Sequence, residues 1–133
     1  MIKTGKWEMS LVEEEGFQQF RPTTYLEATT EEVDSKTGGC GPGKFGDWLV
    51  PDSALGESLF LACRCHDWMY GEVESKEDKF WADLWFDFNM TLLVNDGETL
   101  DPARLKITRA YYIAVSFLGG KYTNVKKEEK DEV

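Results

Sequence analysis

The sequence is poor in basic residues and contains a single histidine. Its 133 residues include 15 Lys and Arg against 25 Asp and Glu, which gives a formal net charge of −10. Binding to nucleic acid is therefore not expected, because phosphate contacts require a basic surface. The same charge gives no attraction to an anionic membrane, so any contact with lipid would depend on apolar side chains or on a partner.

Cysteine is also scarce, with only Cys40, Cys63 and Cys65 in the chain. Three cysteines are too few, and odd in number, for a disulfide framework, so we expect all three to be unpaired. In a helix Cys63 and Cys65 point about 200° apart and cannot easily bridge each other. Structural zinc usually takes four ligands in more widely spaced pairs, which argues against a zinc site around Cys63-Arg64-Cys65-His66.

Long apolar runs are missing as well. Nowhere do 18 apolar residues follow one another, and residues 1–6 open no apolar segment, so we expect neither a membrane span nor a signal peptide and favour a cytoplasmic location. Hydrophobic residues nevertheless make up 41% of the chain and aromatic residues 14%, with five Trp. This composition predicts one globular domain with a substantial core.

The predicted domain spans residues 1–133 and has three parts: an N-terminal β layer (1–37), a helical core (38–120) and a charged tail (121–133). Trp7, Met9 and Leu11 alternate with more polar positions, which predicts a hairpin or two short strands. Pro22 places the second strand at an edge. The acidic residues 29–36 are expected to form an exposed connection.

Three helices are predicted after a glycine-rich loop at residues 38–43. The first begins near Ala54 and ends at Gly71, the second is capped by Ser75 and runs through Val94, and the third begins at Asp101-Pro102 and closes at Gly119-Gly120. The expected fold class is mainly α (α+β): a three-helix core preceded by a small N-terminal β-hairpin and the glycine-rich loop.

Two acids beside the single histidine draw attention to the helical core. His66 and Asp67 are adjacent in the first helix, so their side chains point about 100° apart, and Tyr70 lies one turn beyond His66. Asp83 lies within a very apolar helix, where a carboxylate is costly unless it is paired. We expect Asp83 to lie within hydrogen-bond reach of His66, with Asp87 as the reserve candidate. The alternative is that His66 is a hydrogen-bonded core residue and Asp83 bonds to backbone.

Three segments resemble the phospholipase A2 superfamily, and in particular its small, disulfide-poor viral and bacterial members. They are Gly39-Cys40-Gly41-Pro42-Gly43, Cys63-Arg64-Cys65-His66-Asp67-Trp68-Met69-Tyr70 and Ala82-Asp83-Leu84-Trp85-Phe86. In that family a Gly-x-Gly calcium loop precedes a helix with His-Asp-x-x-Tyr, and an antiparallel helix supplies a second Asp. The resemblance covers roughly residues 38–90 and implies that two antiparallel helices carry an active site.

The resemblance implies a calcium-dependent esterase acting on phospholipid. His66 would take a proton from the attacking water, Asp83 would fix the imidazole as the acid of a catalytic triad does, and Tyr70 would orient Asp83. The Gly41 N–H would stabilise the oxyanion. Tyr111 or Tyr112 would add a second hydroxyl; the alternative is that either one is simply a core residue.

The implied metal is Ca²⁺, bound by the carbonyls of Gly39, Gly41 and Gly43 and by the carboxylate of Asp67. Calcium prefers oxygen ligands, and alternate carbonyls of a tight loop can converge on one ion. A glycine-rich loop alone is more often a simple turn, and its position before His-Asp is what favours a metal site. Trp48 and Leu49 would line an entrance for lipid.

A second set of segments resembles small phage and prophage proteins of unassigned function. It comprises residues 66–70, 82–90 and 111–119. This resemblance implies a virion-associated setting, with a phage particle or a second copy of the chain as partner, and no activity. The alternative function is therefore a non-catalytic structural or assembly protein that keeps the same helices for packing.

Overall fold

A computed structural model describes residues 1–14, 16–37, 57–95 and 102–118. The first of these form a three-stranded antiparallel sheet of β1 (Ile2–Thr4), β2 (Trp7–Glu14) and β3 (Phe17–Pro22), in the order β1-β2-β3. Met9 pairs with Ile2 on one side and with Pro22 on the other. The alternation along β2 buries Trp7 and Met9 on the face that meets the helices.

Glycines at positive φ make both turns of this sheet. Gly5, between β1 and β2, has a φ of 56°, and Gly16, between β2 and β3, has a φ of 87°. L side chains rarely adopt such angles. At Gly5 a Cβ atom would also lie 2.7 Å from Cδ1 of Trp81, whereas no atom lies within 4 Å of a Cβ built at Gly16.

Two short helices follow the sheet, α1 (Thr23–Glu27) and α2 (Thr30–Lys36). A capping box starts α2: the Thr29 hydroxyl accepts from the Glu32 N–H at 3.1 Å, and the Glu32 carboxylate accepts from the Thr29 N–H at 3.3 Å. Val33 is the buried residue of α2 and packs with Tyr25 and Trp68. These helices therefore attach to the main body through a small second cluster of apolar side chains.

Three longer helices complete the described chain: α3 (Glu57–Gly71), α4 (Lys76–Asn95) and α5 (Pro102–Leu118). Ser75 caps α4, because its hydroxyl accepts from the Asp78 N–H at 3.1 Å. The four-residue connection between α3 and α4 returns the chain antiparallel. Among the described residues, no helix is long and apolar enough to cross a membrane.

The core lies between the sheet and the α3–α4–α5 layer. Trp85 of α4 donates through Nε1 to the Thr4 hydroxyl at 2.6 Å. The Asn89 amide, also on α4, accepts from the Phe20 N–H and donates to the Phe20 carbonyl, both at 2.8 Å. Helix α4 is thus fixed to both edge strands of the described sheet, β1 and β3. The largest cluster of buried apolar side chains surrounds it: Trp7, Met9, Ala62, Cys63, Cys65, Met69, Tyr70, Val73, Ala82, Trp85, Phe86, Met90, Leu93 and Val115.

The fold class predicted from the sequence is wrong. The described residues contain five helices and a three-stranded sheet, where three helices and a hairpin were expected. Residues 30–36 are helical because their capping box satisfies the first backbone N–H groups, and not an exposed connection. Strand β1 was missed because only three residues pair, with little alternation of burial.

The prediction that all three cysteines are unpaired is also wrong. Cys63 is disulfide-bonded, whereas Cys65 is a free, buried thiol. An odd number of cysteines excludes a full framework but still allows one bridge. Burial raises the pKa of Cys65 to about 12, against the opposing charge of Arg21, so this thiol is unreactive near neutral pH.

Several predicted elements lie outside the described residues. These are the glycine-rich loop at 38–43, the start of the first long helix near 52–54, the Gly119-Gly120 end of the third helix and the tail at 121–133. The predictions made for them stay predictions. The end of α3 at Gly71, the Ser75 cap of α4 and the start of α5 at Pro102 are confirmed.

We predict that Gly5→Ala destabilises the protein more than Gly16→Ala. Both substitutions force an L residue to positive φ, which costs about 1–2 kcal/mol, but only Gly5→Ala also displaces the Trp81 indole, at an overpacking cost of about 1–3 kcal/mol. Urea unfolding of the two variants and the wild type measures the difference. Equal losses would show that the contact between Gly5 and Trp81 does not constrain the sheet.

Candidate active site

The imidazole of His66 lies inside the protein, between α3 and α4. His66 is only 2% exposed. The ring stacks on Phe86, with centroids 4.3 Å apart and an interplanar angle of 18°, and lies 4.1 Å from the Tyr70 ring. Its Nε2 atom is 2.9 Å from Oδ1 of Asp83. The predicted contact between His66 and Asp83 is confirmed, while their chemical role stays a prediction.

Asp83 accepts hydrogen bonds from three side chains. Oδ1 accepts from Nε2 of His66 and from the Tyr70 hydroxyl, the latter at 2.5 Å. Oδ2 accepts from the Lys79 ammonium at 2.7 Å. The residue is 3% exposed, so these donors replace water almost completely. The predicted bond from Tyr70 is confirmed, and the hydroxyl of Tyr70 also lies 3.3 Å from the Val115 carbonyl.

Asp83 is an ionised carboxylate in this setting. Burial by itself raises its pKa, but the hydrogen bond and charge interaction with His66, together with the hydrogen bonds from Lys79 and Tyr70, outweigh burial and leave the pKa below its usual value. Conversely, burial and the negative charge of Asp83 raise the pKa of the Tyr70 phenol, which keeps its proton. Tyr70 is therefore a permanent donor to Asp83.

The charge on Asp83 determines the tautomer of His66. An ionised carboxylate only accepts hydrogen bonds, so the ring nitrogen beside it, Nε2, carries the proton. In the neutral imidazole the lone pair then lies on Nδ1, the nitrogen directed away from Asp83. The arrangement places a base at one end of the ring and a buried anion at the other.

Lys79 was missed by the sequence analysis. It lies one helical turn before Asp83, and an i,i+4 pair of opposite charges on α4 was a signal for it. Its ammonium also donates to the carbonyls of Val115, at 3.1 Å, and Ser116, at 3.0 Å. A cavity of about 260 Å³ reaches both Lys79 and Asp83; its lining residues are Lys76, Lys79, Phe80, Asp83, Tyr112 and Ser116.

Asp67 is also buried, with 2% exposure, and follows His66 on α3. Its carboxylate is an oxygen ligand of the type that calcium prefers. The other predicted ligands, Gly39, Gly41 and Gly43, lie outside the described residues. Within the described chain no group of three or more His, Cys, Asp or Glu residues could hold a metal ion, and a site with one carboxylate and three carbonyls is not of that kind.

The structure describes the side chains of two of the remaining candidates, Tyr112 and Asp87. Tyr112 is half-buried and lines the cavity near Asp83, and the side chain of Tyr111 lies outside the described part of the chain. Asp87 pairs with Arg109 of α5 at 2.5 Å rather than with His66. Trp48 and Leu49 also fall outside the described residues.

Comparison with known proteins adds no relative. No protein-family model, no curated protein and no solved structure matches the chain.

We predict that the stability of the wild type falls more steeply than that of Asp83→Asn as the pH is lowered from 5 to below 3.8, the usual pKa of this carboxyl group. The folded pKa of Asp83 is lowered, so its charge contributes stability above the unfolded pKa, and that contribution is lost as pH falls through the folded value. Chemical denaturation at several pH values measures both slopes. Parallel slopes would contradict a lowered pKa for Asp83.

At pH 7 Asp83→Asn should also lose about 3 kcal/mol, because it leaves the Lys79 ammonium inside the protein without a counter-charge. Asp87→Asn is the matched control, since it removes an acid one turn further along α4. Its partner Arg109 has a side chain that is 55% exposed, whereas Asp87 is 15% exposed. The charge left by Asp87→Asn is therefore in contact with solvent, and we expect a smaller loss than for Asp83→Asn.

Proposed function

We propose that the protein is a calcium-dependent ester hydrolase that acts on lipid in the manner of a phospholipase A2. The observation that supports this proposal is the buried hydrogen-bonded set of His66, Asp83 and Tyr70. Its parts match the roles implied by the resemblance in the sequence: a base, an acid that fixes the base and a hydroxyl that fixes the acid. The resemblance supports the substrate class, and the hydrogen bond between His66 and Asp83 supports His66 as the base.

In the proposed reaction the Nδ1 atom of His66 accepts a proton from a water molecule as its oxygen attacks the carbonyl carbon of the ester. The imidazolium that forms is stabilised by Asp83, which remains ionised. When the tetrahedral intermediate collapses, the bond to the alcohol oxygen breaks and the Nδ1 proton passes to that oxygen. The products are a fatty acid and a lysolipid.

Asp67 and the carbonyls of Gly39, Gly41 and Gly43 would hold the calcium ion. When bound, calcium polarises the ester carbonyl as a Lewis acid. A carboxylate at Asp67 fits this use, because hard cations select oxygen donors. The part of the chain from Gly39 to Gly43 also contains the Gly41 N–H proposed for the oxyanion.

A second candidate is a non-catalytic phage structural or assembly protein. The observation that favours it is the apolar surface of α4 and α5, where Phe80, Phe88, Ile113 and Phe117 are 47–78% exposed. Exposed apolar side chains on neighbouring helices are typical of surfaces that associate. This candidate predicts stable oligomers in sedimentation experiments and no hydrolysis, and the four side chains would be buried by a second copy of the chain or by a particle.

We predict that His66→Gln abolishes ester hydrolysis and leaves the fold intact. Glutamine keeps a polar side chain of similar reach but cannot accept the proton, so the loss should exceed about 100-fold if proton transfer limits the rate. Release of fatty acid from phospholipid vesicles measures the rate, and circular dichroism checks the fold.

Asp87→Asn is the control for this experiment, because Asp87 is an acid of the same helix that pairs with Arg109. It should retain wild-type turnover. Hydrolysis by the wild type that survives unchanged in His66→Gln would mean that another group is the base. A wild type without any hydrolysis would leave the assembly protein as the function.

We predict that calcium binds weakly and that Asp67→Asn removes binding. Only one proposed ligand is charged, and ligand charge largely sets calcium affinity, so we expect a dissociation constant on the order of 10⁻⁴–10⁻³ M. Calorimetry on the wild type and Asp67→Asn measures it. Asp87→Asn should bind calcium like the wild type, and equal heats from wild type and Asp67→Asn would exclude Asp67 as a ligand.

A further inference from the structure

We propose that Lys79 is a positioning residue whose ammonium holds Oδ2 of Asp83 and thereby directs Oδ1 at His66. The expected effect of Lys79 on turnover rests on the proposed function. The arrangement of Lys79, Asp83 and His66 does not depend on that proposal. The sequence resemblance assigns no role to this position. Lys79 belongs to α4, and the groups it contacts lie on α4 and α5.

The two oxygens of Asp83 have different partners. Oδ1 accepts from His66 and Tyr70, whereas within the described residues Lys79 is the one donor to Oδ2. Without Lys79 this oxygen would be a buried acceptor with no donor, which is unfavourable. The carboxylate would then rotate or take up a proton to satisfy it, and either change disturbs the bond to His66.

Lys79 is itself held in a fixed position. Its side chain is 16% exposed, and its ammonium has three acceptors: Oδ2 of Asp83 and the carbonyls of Val115 and Ser116. These carbonyls lie in the last turn of α5, where a positive charge is favoured. The Val115 carbonyl also lies 3.3 Å from the Tyr70 hydroxyl, whose single proton is donated to Asp83, so Tyr70, Asp83, Lys79 and this carbonyl form a closed ring of polar contacts.

The charge of Lys79 acts on His66 through Asp83. Paired with Lys79, Asp83 stays an ionised acceptor, and the proton of neutral His66 remains on Nε2. The lone pair is then held on Nδ1, where the proposed reaction needs it. A side chain that only filled space could not hold this tautomer, which separates a positioning role from a packing role.

The cavity beside Lys79 gives a way to restore the missing group. Its volume is about 260 Å³, and its lining includes both Lys79 and Asp83. Lys79→Ala would enlarge it toward Oδ2, so methylammonium can occupy the place of the lysine ammonium. Tetramethylammonium, which has the same charge and no N–H, is the matched additive.

The experiment compares Lys79→Met, Lys79→Arg and Lys79→Ala with the wild type. Lys76→Met is the control, because it removes the same charge from the lining of the same cavity. His66 is the only histidine in the chain, so the nitrogen-15 shifts of its imidazole report the tautomer without ambiguity at a fixed pH. Turnover and KM on phospholipid vesicles are measured in parallel, and circular dichroism checks each fold.

We expect the wild type, Lys79→Arg and Lys76→Met to show the Nε2–H tautomer. In Lys79→Met its population should fall, and kcat should drop about tenfold with KM unchanged, since general-base catalysis contributes about 10²–10⁴-fold. Methylammonium, but not tetramethylammonium, should restore the tautomer and most of kcat in Lys79→Ala. If Lys79→Met does not fold, Lys79→Gln, which keeps a donor without the charge, takes its place.

An unchanged Nε2–H tautomer in folded Lys79→Met overturns the proposal. So does equal recovery of Lys79→Ala in both additives. A wild type that holds the Nε2–H tautomer but hydrolyses no lipid refutes the proposed function, and the nitrogen shifts of the variants then still decide the role of Lys79. The two failures are thus told apart by different measurements.

Discussion

The buried carboxylate of Asp83 is the constraint on which the three long helices depend. An ionised group at 3% exposure is tolerated only when protein donors replace its water. Those donors come from two helices, His66 and Tyr70 on α3 and Lys79 on α4. The Val115 carbonyl on α5 accepts from Lys79 and lies 3.3 Å from the Tyr70 hydroxyl, which closes the ring of polar contacts. A slip of any one helix would leave a charge or a polar group unpaired, so the ring fixes their relative positions more strictly than apolar packing does.

The sheet holds α4 from the opposite side. β3 is an edge strand of the described sheet, and the Asn89 side chain satisfies the N–H and the carbonyl of Phe20 as a neighbouring strand would. At the other edge the Thr4 hydroxyl accepts from Trp85, and Gly5 lets the chain pass against Trp81. Helix α4 therefore has one face committed to the sheet and another to the charged ring, which fixes its rotation and the direction of Asp83.

The contacts among His66, Tyr70 and Asp83 and the three long helices were largely predictable, whereas the fold class was not. Asp83 stood in an apolar helix, so burial required a partner, and helical spacing placed His66 and Tyr70 within reach of it. Lys79 was missed because lysines on a helical wheel are usually assigned to solvent, although its spacing from Asp83 was a local signal. The prediction of the fold class was wrong because of two short elements. The capping box of α2 at Thr29 is a local signal, but the acidic composition of the segment was given more weight. Strand β1 depends on pairing with β2 and on the contact of Thr4 with the distant Trp85.

Burying this ring of charged and polar groups costs free energy, and that cost indicates what the ring contributes to the protein. Replacing a buried ionic set by well-packed apolar residues is often neutral or stabilising by about 1–4 kcal/mol, so the stability of the packed helices does not by itself require Asp83, His66 and Lys79, although these residues fix the relative positions of the helices. The ring instead gives His66 a defined tautomer, through an acceptor that stays ionised because Lys79 and Tyr70 donate to it. A histidine that only fills space in the core does not require one particular tautomer, whereas a general base needs its lone pair on one particular nitrogen. That difference is the physical reason to place the proposed chemistry at His66 and the assembly role, if the protein has one, on the exposed apolar faces of α4 and α5.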